Sequence, residues 1–359
     1  MNKLPQELKA HLMQGTVIPA HPLALNEDRT LDEQHQRLLT QYYMSSGAGG
    51  IAIAVHSTQF EIRDPEVNLF EKVIELASEE ITKAKLDRPF LKVCGICGPT
   101  EQAVNEAKLA VKHGYHMGLL SMGGLQDWTE EEILERVRKV AQVIPVFGFY
   151  LQPSVGGRIF SYDFWSKFVD IENVEAIKCA SFNRYQTLDV MRALANSSRR
   201  YEVAMYTGND DNIVNDLLTT YRFPTADGPA EINFRGGLLG HWAVWTKKAV
   251  ELLEKIKQHK LAPNAVAADE LLSHNVAVTD SNAALFDPSH DFHGCISGIH
   301  EVLRRQGLLK GIWCISPKET LSPGQSEEID RIYRDYPQLN DDEFVKTFLK
   351  EKSNQNLIC

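Results

Sequence analysis

Long apolar runs are missing from this 359-residue chain, and no stretch approaches the length that crosses a bilayer. The opening Met1-Asn2-Lys3-Leu4-Pro5 has no apolar signal core, so the chain reads as cytoplasmic. A basic surplus is missing too. Lys and Arg number 38 against 48 Asp and Glu, a net charge of −10 without a dense basic cluster. Nucleic acid and anionic membrane are therefore not expected partners. Cysteine is sparse: six residues, scattered and mostly in apolar segments, as reduced buried thiols are. Cys94-Gly95-Ile96-Cys97 has CxxC spacing, but three residues along a strand put the two side chains on opposite faces. That geometry argues against zinc or redox use. No GxGxxG follows an early strand, which counts against a Rossmann fold. Strand 1 carries only His21 and no paired-histidine motif, which counts against a metal-dependent hydrolase. Neither a metal nor a cofactor is expected.

What is present is ordinary globular material: 43% hydrophobic and 24% charged residues. Eight strand candidates occur in order, at 15–23, 49–55, 90–98, 116–122, 144–151, 174–181, 201–208 and about 230–235. Amphipathic helical segments separate most of them. The clearest runs from Trp128 to Val143, with Thr129 and Glu132 spaced as a capping box. Ile133, Val137, Val140 and Ala141 form its apolar stripe, with Glu130, Glu131, Arg136 and Arg138 on the wet face. Alternation of this kind predicts parallel strands with right-handed crossovers. Eight of them predict a (β/α)₈ TIM barrel over residues 1–260. Further helices are expected at 240–258, 267–278, 295–306, 324–336 and 341–352, so that 261–359 forms a helical extension packed on or beside the barrel.

Function in such a barrel sits at the C-terminal ends of the strands. Lys178 stands out there. In Val174-Glu175-Ala176-Ile177-Lys178-Cys179-Ala180, alternation puts Lys178 with Val174, Ala176 and Ala180, opposite Ile177 and Cys179. A lysine among small residues on a strand face is partly desolvated, which lowers its pKa and supplies a free amine to attack a carbonyl. A strand-end ion pair is the plainer alternative. On strand 2, Ala52, Ala54 and His56 share the face expected to look inward. On strand 5, Gly148 and Tyr150 do. Tyr150 is then expected beside Lys178, where a phenol can relay protons; a tyrosine that only caps a barrel layer is the alternative.

Five segments in this order resemble the dihydrodipicolinate synthase / N-acetylneuraminate lyase family of class I aldolases. They are Gly15-Thr16-Val17-Ile18-Pro19-Ala20-His21-Pro22, Gly49-Gly50-Ile51 leading to His56-Ser57-Thr58, Phe149-Tyr150-Leu151-Gln152-Pro153, Ala176-Ile177-Lys178-Cys179-Ala180-Ser181 and Thr207-Gly208-Asn209-Asp210. The resemblance spans Gly15 to about Pro337. It implies that Lys178 forms a Schiff base with pyruvate or a related 2-oxo acid, and that Tyr150 shuttles the proton. Ser57, or Thr58 if the loop is shifted by one, would hold the carboxylate; a turn-forming serine is the alternative. His56 would act as a new acid–base group, contact the second substrate or only fill space with a hydrogen bond, and Gly208 and Asn209 would touch substrate. Asn209-Asp210-Asp211 also suits a helix cap. An aldehyde is the implied partner substrate, and a homo-oligomer the implied assembly.

Departures from the family pattern narrow this expectation. Its threonine–threonine–glycine–glutamate reads His56-Ser57-Thr58-Gln59 here. After strand 4 stands Ser121-Met122-Gly123-Gly124, without the synthases' partner tyrosine. Val155 occupies the place of the arginine that grips the second carboxylate, with Arg158 three residues on. A Schiff-base lyase or aldolase is therefore expected, rather than a true synthase. The rivals are an imine-dependent dehydratase and a non-catalytic barrel that senses a small oxo acid. Asp287-Pro288-Ser289-His290-Asp291-Phe292-His293 reads as turns before a helix rather than a metal site, and Arg235-Gly236-Gly237-Leu238-Leu239-Gly240-His241 as a tight glycine turn rather than a phosphate loop.

Overall fold

Short runs such as Val146-Phe147-Gly148-Phe149-Tyr150-Leu151 are too short for a helix and apolar on both faces, so they pair as buried parallel strands. In the computed structural model, which describes residues 2–356, ten strands form. They are β1 Val17–Pro19, β2 Gly50–Ile53, β3 Leu91–Ile96, β4 Met117–Leu120, β5 Val146–Leu151, β6 Val174–Ala180, β7 Ala204–Thr207, β8 Tyr221–Thr225, β9 Gly228–Ile232 and β10 Phe234–Leu239. Eight of them pair in the order β1-β10-β7-β6-β5-β4-β3-β2. A parallel bridge from Ala20 to Ala52 joins the two ends, closing a (β/α)₈ barrel. The helices are α1 Gln6–Gln14, α2 Glu33–Ser45, α3 Phe70–Ala84, α4 Thr100–Lys112, α5 Glu130–Ala141, α6 Tyr162–Val169, α7 Arg184–Ala195 and α8 Ile213–Leu218. Five more follow: α9 Thr246–Leu261, α10 Ala265–Phe286, α11 Cys295–Arg305, α12 Gln325–Asp335 and α13 Asp342–Asn356. The last residues of the expected extension, 357–359, lie outside the described residues. Among the described residues, no helix is long and apolar enough to cross a membrane.

The eighth barrel strand corrects the expectation. It is β10, while residues near 230 belong to an antiparallel hairpin of β8 and β9 outside the barrel. Arg235-Gly236-Gly237 therefore lies within a strand, and neither a glycine turn nor a phosphate loop forms there. The glycines are needed for close approach: a Cβ on Gly236 would lie 2.2 Å from the Thr16 carbonyl oxygen.

Ile18, Ala52, Val93, Leu119, Phe147 and Tyr206 fill the barrel interior. Helix α1 plugs its N-terminal end with Leu12, whose carbonyl accepts the Tyr206 hydroxyl at 2.9 Å. The open mouth lies at the other end. Helix α5 starts at the expected capping box, with the Glu132 N–H donating to the Thr129 hydroxyl and the Thr129 N–H to the Glu132 carboxylate. Arg136 corrects the expected wet face: it is fully buried. Its guanidinium donates to the carbonyls of Gly98 at 2.8 Å and Ser121 at 3.0 Å, at the ends of β3 and β4. Burial pushes its pKa down to about 10. Arg136→Met leaves both carbonyls without this donor in the interior, and a loss of about 2–4 kcal/mol in urea-unfolding stability is expected.

Candidate active site

A narrow cavity of about 60 Å³ opens at the mouth of the barrel. Its floor comes from the ends of β2, β5, β6 and β7, with His56, Ser57, Gln152, Lys178 and Asp210 as its polar side chains. Its roof is Phe286, Phe292, Cys295 and Ile299, from the end of α10 through α11. The roof side chains were not legible as site residues, because nothing local marks them as folding back over the barrel.

Lys178 points inward with Ala176 and Ala180, as alternation predicts. Val174 does not share that face: it packs with Ile177 and Cys179 in the outer cluster, because the β5–β6 register shifts at the start of the strand. Its ammonium lies 4.4 Å from the centroid of the Phe149 ring. Burial pushes its pKa down, and the negative charge of Asp210 partly offsets that shift. Burial pushes the Asp210 carboxyl up, with Lys178 pulling it back. The two groups titrate as a pair. One Asp210 oxygen accepts the His241 N–H at 2.8 Å, which fixes the carboxyl on the cavity wall. Gly208 gives the lysine its path: a Cβ there would meet Lys178 Cε at 2.5 Å and Ala180 Cβ at 2.9 Å. Gly208→Ala must therefore displace the amine. A fall of about 100-fold in the rate of adduct formation with a keto acid is expected, with the circular dichroism spectrum retained.

Strand 5 corrects the expectation for Tyr150. Gly148 and Tyr150 do share a face, but it is the outer one. Phe147, Phe149 and Leu151 belong to the interior cluster, whereas Tyr150 packs between barrel and helix with its ring centroid 4.9 Å from that of Trp165. Gly148 is small because Phe168 of α6 lies against it, 2.6 Å from where a Cβ would be. The Tyr150 hydroxyl accepts only the Phe160 N–H, at 3.5 Å, and burial raises its pKa to about 12. Cross-strand register holds the signal that decides this: Phe149 stands opposite Lys178, so the two share a face.

The strand-2 loop is reached by a different route than simple alternation. Ala54 has φ of 61°, which breaks the parity and turns Val55 to the interior. Arg63 holds this kink by donating to the Ala54 and Gly95 carbonyls, each at 3.0 Å. A 3₁₀ turn over His56–Thr58 follows and puts His56 and Ser57 on the cavity wall. Burial, with Lys178 nearby, pushes His56 down to about 4, so it is neutral at pH 7. Thr58 is not on the wall; its hydroxyl donates to the His21 carbonyl at 2.7 Å and accepts the Val55 N–H at 3.2 Å, fastening the turn. His21 is likewise internal, its ring bonded to Thr40 at 2.9 Å and to the Pro22 carbonyl at 2.7 Å.

Asn209 also sits behind the wall. Its amide donates to Asp216 at 2.8 Å, and its carbonyl oxygen accepts the Phe182 N–H at 3.0 Å. Asn212, rather than Asn209 or Asp210, precedes helix α8. Arg158 is tied to the Leu125 and Trp128 carbonyls at 3.0 and 2.8 Å, away from the cavity. Among the described residues, no cluster of metal-ligating side chains occurs.

No protein-family model and no curated protein sequence matches the chain. Solved structures do. Dihydrodipicolinate synthase from Oceanobacillus iheyensis superposes with a TM-score of 0.72 at 16% identity, covering 92% of this chain and 99% of its own. Dihydrodipicolinate synthase from Bacteroides thetaiotaomicron gives 0.71 at 14%, covering 93% and 100%. N-acetylneuraminate lyase from Fusobacterium nucleatum complexed with pyruvate gives 0.70 at 16%, covering 91% and 99%. At such identity the likeness is one of architecture: this chain has the (β/α)₈ fold of the dihydrodipicolinate synthases and N-acetylneuraminate lyases.

Proposed function

We propose that the protein is a Schiff-base-forming lyase or aldolase of the class I type, acting on pyruvate or a related 2-oxo acid. The observation that carries this reading is Lys178: a buried amine with a lowered pKa, facing a cavity at the C-terminal end of a barrel strand. Its neutral form attacks the keto carbon, and loss of water leaves an imine. The protonated imine draws electrons from the neighbouring carbon, which loses a proton to give an enamine. The keto acid complex of the Fusobacterium nucleatum lyase supports pyruvate as the first candidate.

Proton transfer in this reading falls to Asp210. Its raised pKa keeps part of it protonated near neutral pH, so it can protonate the departing hydroxyl and take the proton back later. Ser57 lines the cavity, and its hydroxyl, which makes only a long 3.4 Å bond to the His21 carbonyl, turns to hold the substrate carboxylate. Neutral His56 offers a hydrogen bond beside it. Borohydride reduction in the presence of pyruvate, followed by peptide mass spectrometry, tests the reading. A reduced adduct on Lys178 is expected. No adduct with pyruvate or any larger 2-oxo acid would leave the cavity as a sensing pocket, and reversible stabilisation by the keto acid would then be its signature.

A further inference from the structure

We infer that the second substrate is an aldehyde with an aromatic or alkyl body, seated against Phe182 and Phe292 at the mouth of the cavity. This rests on the Schiff-base reading and adds the class of the partner substrate. The cavity has two unlike sides. Polar groups are confined to the barrel floor around Lys178, while the roof from α10 to α11 offers Phe286, Phe292, Cys295 and Ile299. Among the described residues, Lys178 is the sole Lys or Arg on the cavity wall, and imine formation consumes its amine. Beyond the protonated imine itself, a carboxylate or phosphate on the aldehyde would find no Lys or Arg on that wall, and a polyhydroxylated aldehyde would leave its hydroxyls unpaired against phenylalanine.

The mouth itself is built by backbone that bulky residues rarely adopt. Phe182 has φ of 51° and Phe292 φ of 65°, both in the left-handed region. Such conformations persist only where the surroundings enforce them, and they collect at functional sites. Here the enforcement is visible. Asn209 accepts the Phe182 N–H at 3.0 Å. The Phe292 N–H donates to the Asp287 carbonyl at 3.0 Å, and the buried Asp287 carboxylate accepts the Gly294 N–H at 3.2 Å and bonds the His290 ring at 2.5 Å. The Asp287–His293 segment is thus a turn that aims Phe292 across the mouth. The two rings stand edge to face, centroids 5.8 Å apart, and each is only partly buried. A planar or alkyl aldehyde gains aromatic and apolar contact against them.

In the bond-forming step the enamine carbon attacks the aldehyde carbon, and the aldehyde oxygen takes one proton. Water then hydrolyses the imine, which returns the Lys178 amine and releases a 4-hydroxy-2-oxo acid. The test incubates the full chain with pyruvate and, separately, benzaldehyde, hexanal, glyceraldehyde or succinic semialdehyde, and follows the product acid by mass spectrometry. Borohydride trapping with pyruvate alone is run beside it. Benzaldehyde and hexanal are expected to exceed the two polar aldehydes at least about tenfold in kcat/KM. Phe292→Ala should reduce that preference by about tenfold, and Phe292→Leu should keep it for hexanal. Equal or better use of the polar aldehydes, or no aldehyde use at all, with the Lys178 adduct intact, overturns the inference and leaves the Schiff-base reading standing. Absence of the adduct overturns both.

Discussion

Lys178→Ala is expected to abolish the borohydride-trapped pyruvate adduct and to lower turnover by a factor on the order of 10⁴ or more. Among the described residues, no second lysine lines the cavity to take over the attack. The fold should survive, because alanine joins Ala176 and Ala180 on a face already lined by small residues, and the change removes a buried ionisable group. Intact protein with residual trapping at another lysine would place the nucleophile elsewhere. Lys178→Arg is the informative companion: its guanidinium stays charged and cannot form the imine.

The second large effect concerns Asp210. Asp210→Asn keeps the shape and the hydrogen bond from the His241 N–H but cannot exchange a proton. A loss of about 10²–10⁴ in kcat is expected. The pH profile distinguishes this from mere misplacement. On the proposed mechanism, adduct formation in the parent requires the Lys178 amine, which grows as pH rises, and an acid form of Asp210, which is lost as pH rises. The product is bell-shaped, with apparent pKa values that belong to the pair. In the variant the alkaline limb disappears. The acid limb moves to lower pH, because the Asp210 charge that holds the Lys178 pKa up is gone. Tyr150→Phe removes a hydroxyl that meets only the Phe160 N–H outside the barrel, and turnover near that of the parent is expected. A large loss in Tyr150→Phe with an unaltered Asp210→Asn profile would return the relay to the phenol.

Much of this was legible residue by residue. The strand runs at 49–55, 90–98, 116–122, 144–151 and 174–181 each enclose an observed strand, because short apolar segments between amphipathic helices have few other ways to satisfy their backbone. The capping box at Thr129 and the inward face of Lys178 are local properties of period and spacing. Arg136 was misread on that same logic. Its helical position is only at the edge of the apolar stripe, and what buries it is a pair of strand-end carbonyls more than a dozen residues away in sequence.

The chemistry-bearing face of strand 5 shows where local reasoning ends. Alternation tells which residues share a face, and Gly148 with Tyr150 was a correct pair. Which face looks inward depends on register against β6 and on Phe168 pressing on Gly148 from α6, both of them long-range facts. His56 reached the cavity only through the left-handed turn at Ala54, a break in period that no alternation rule foresees. The first seven strands, the inward placement of Lys178 and the resemblance in motif order thus reside in the chain itself, since period, propensity and spacing are encoded locally. The identity of the acid beside Lys178, the retreat of Tyr150, Thr58 and Asn209 behind the wall, and the phenylalanine roof came only with packing, because each depends on what a distant segment places against it.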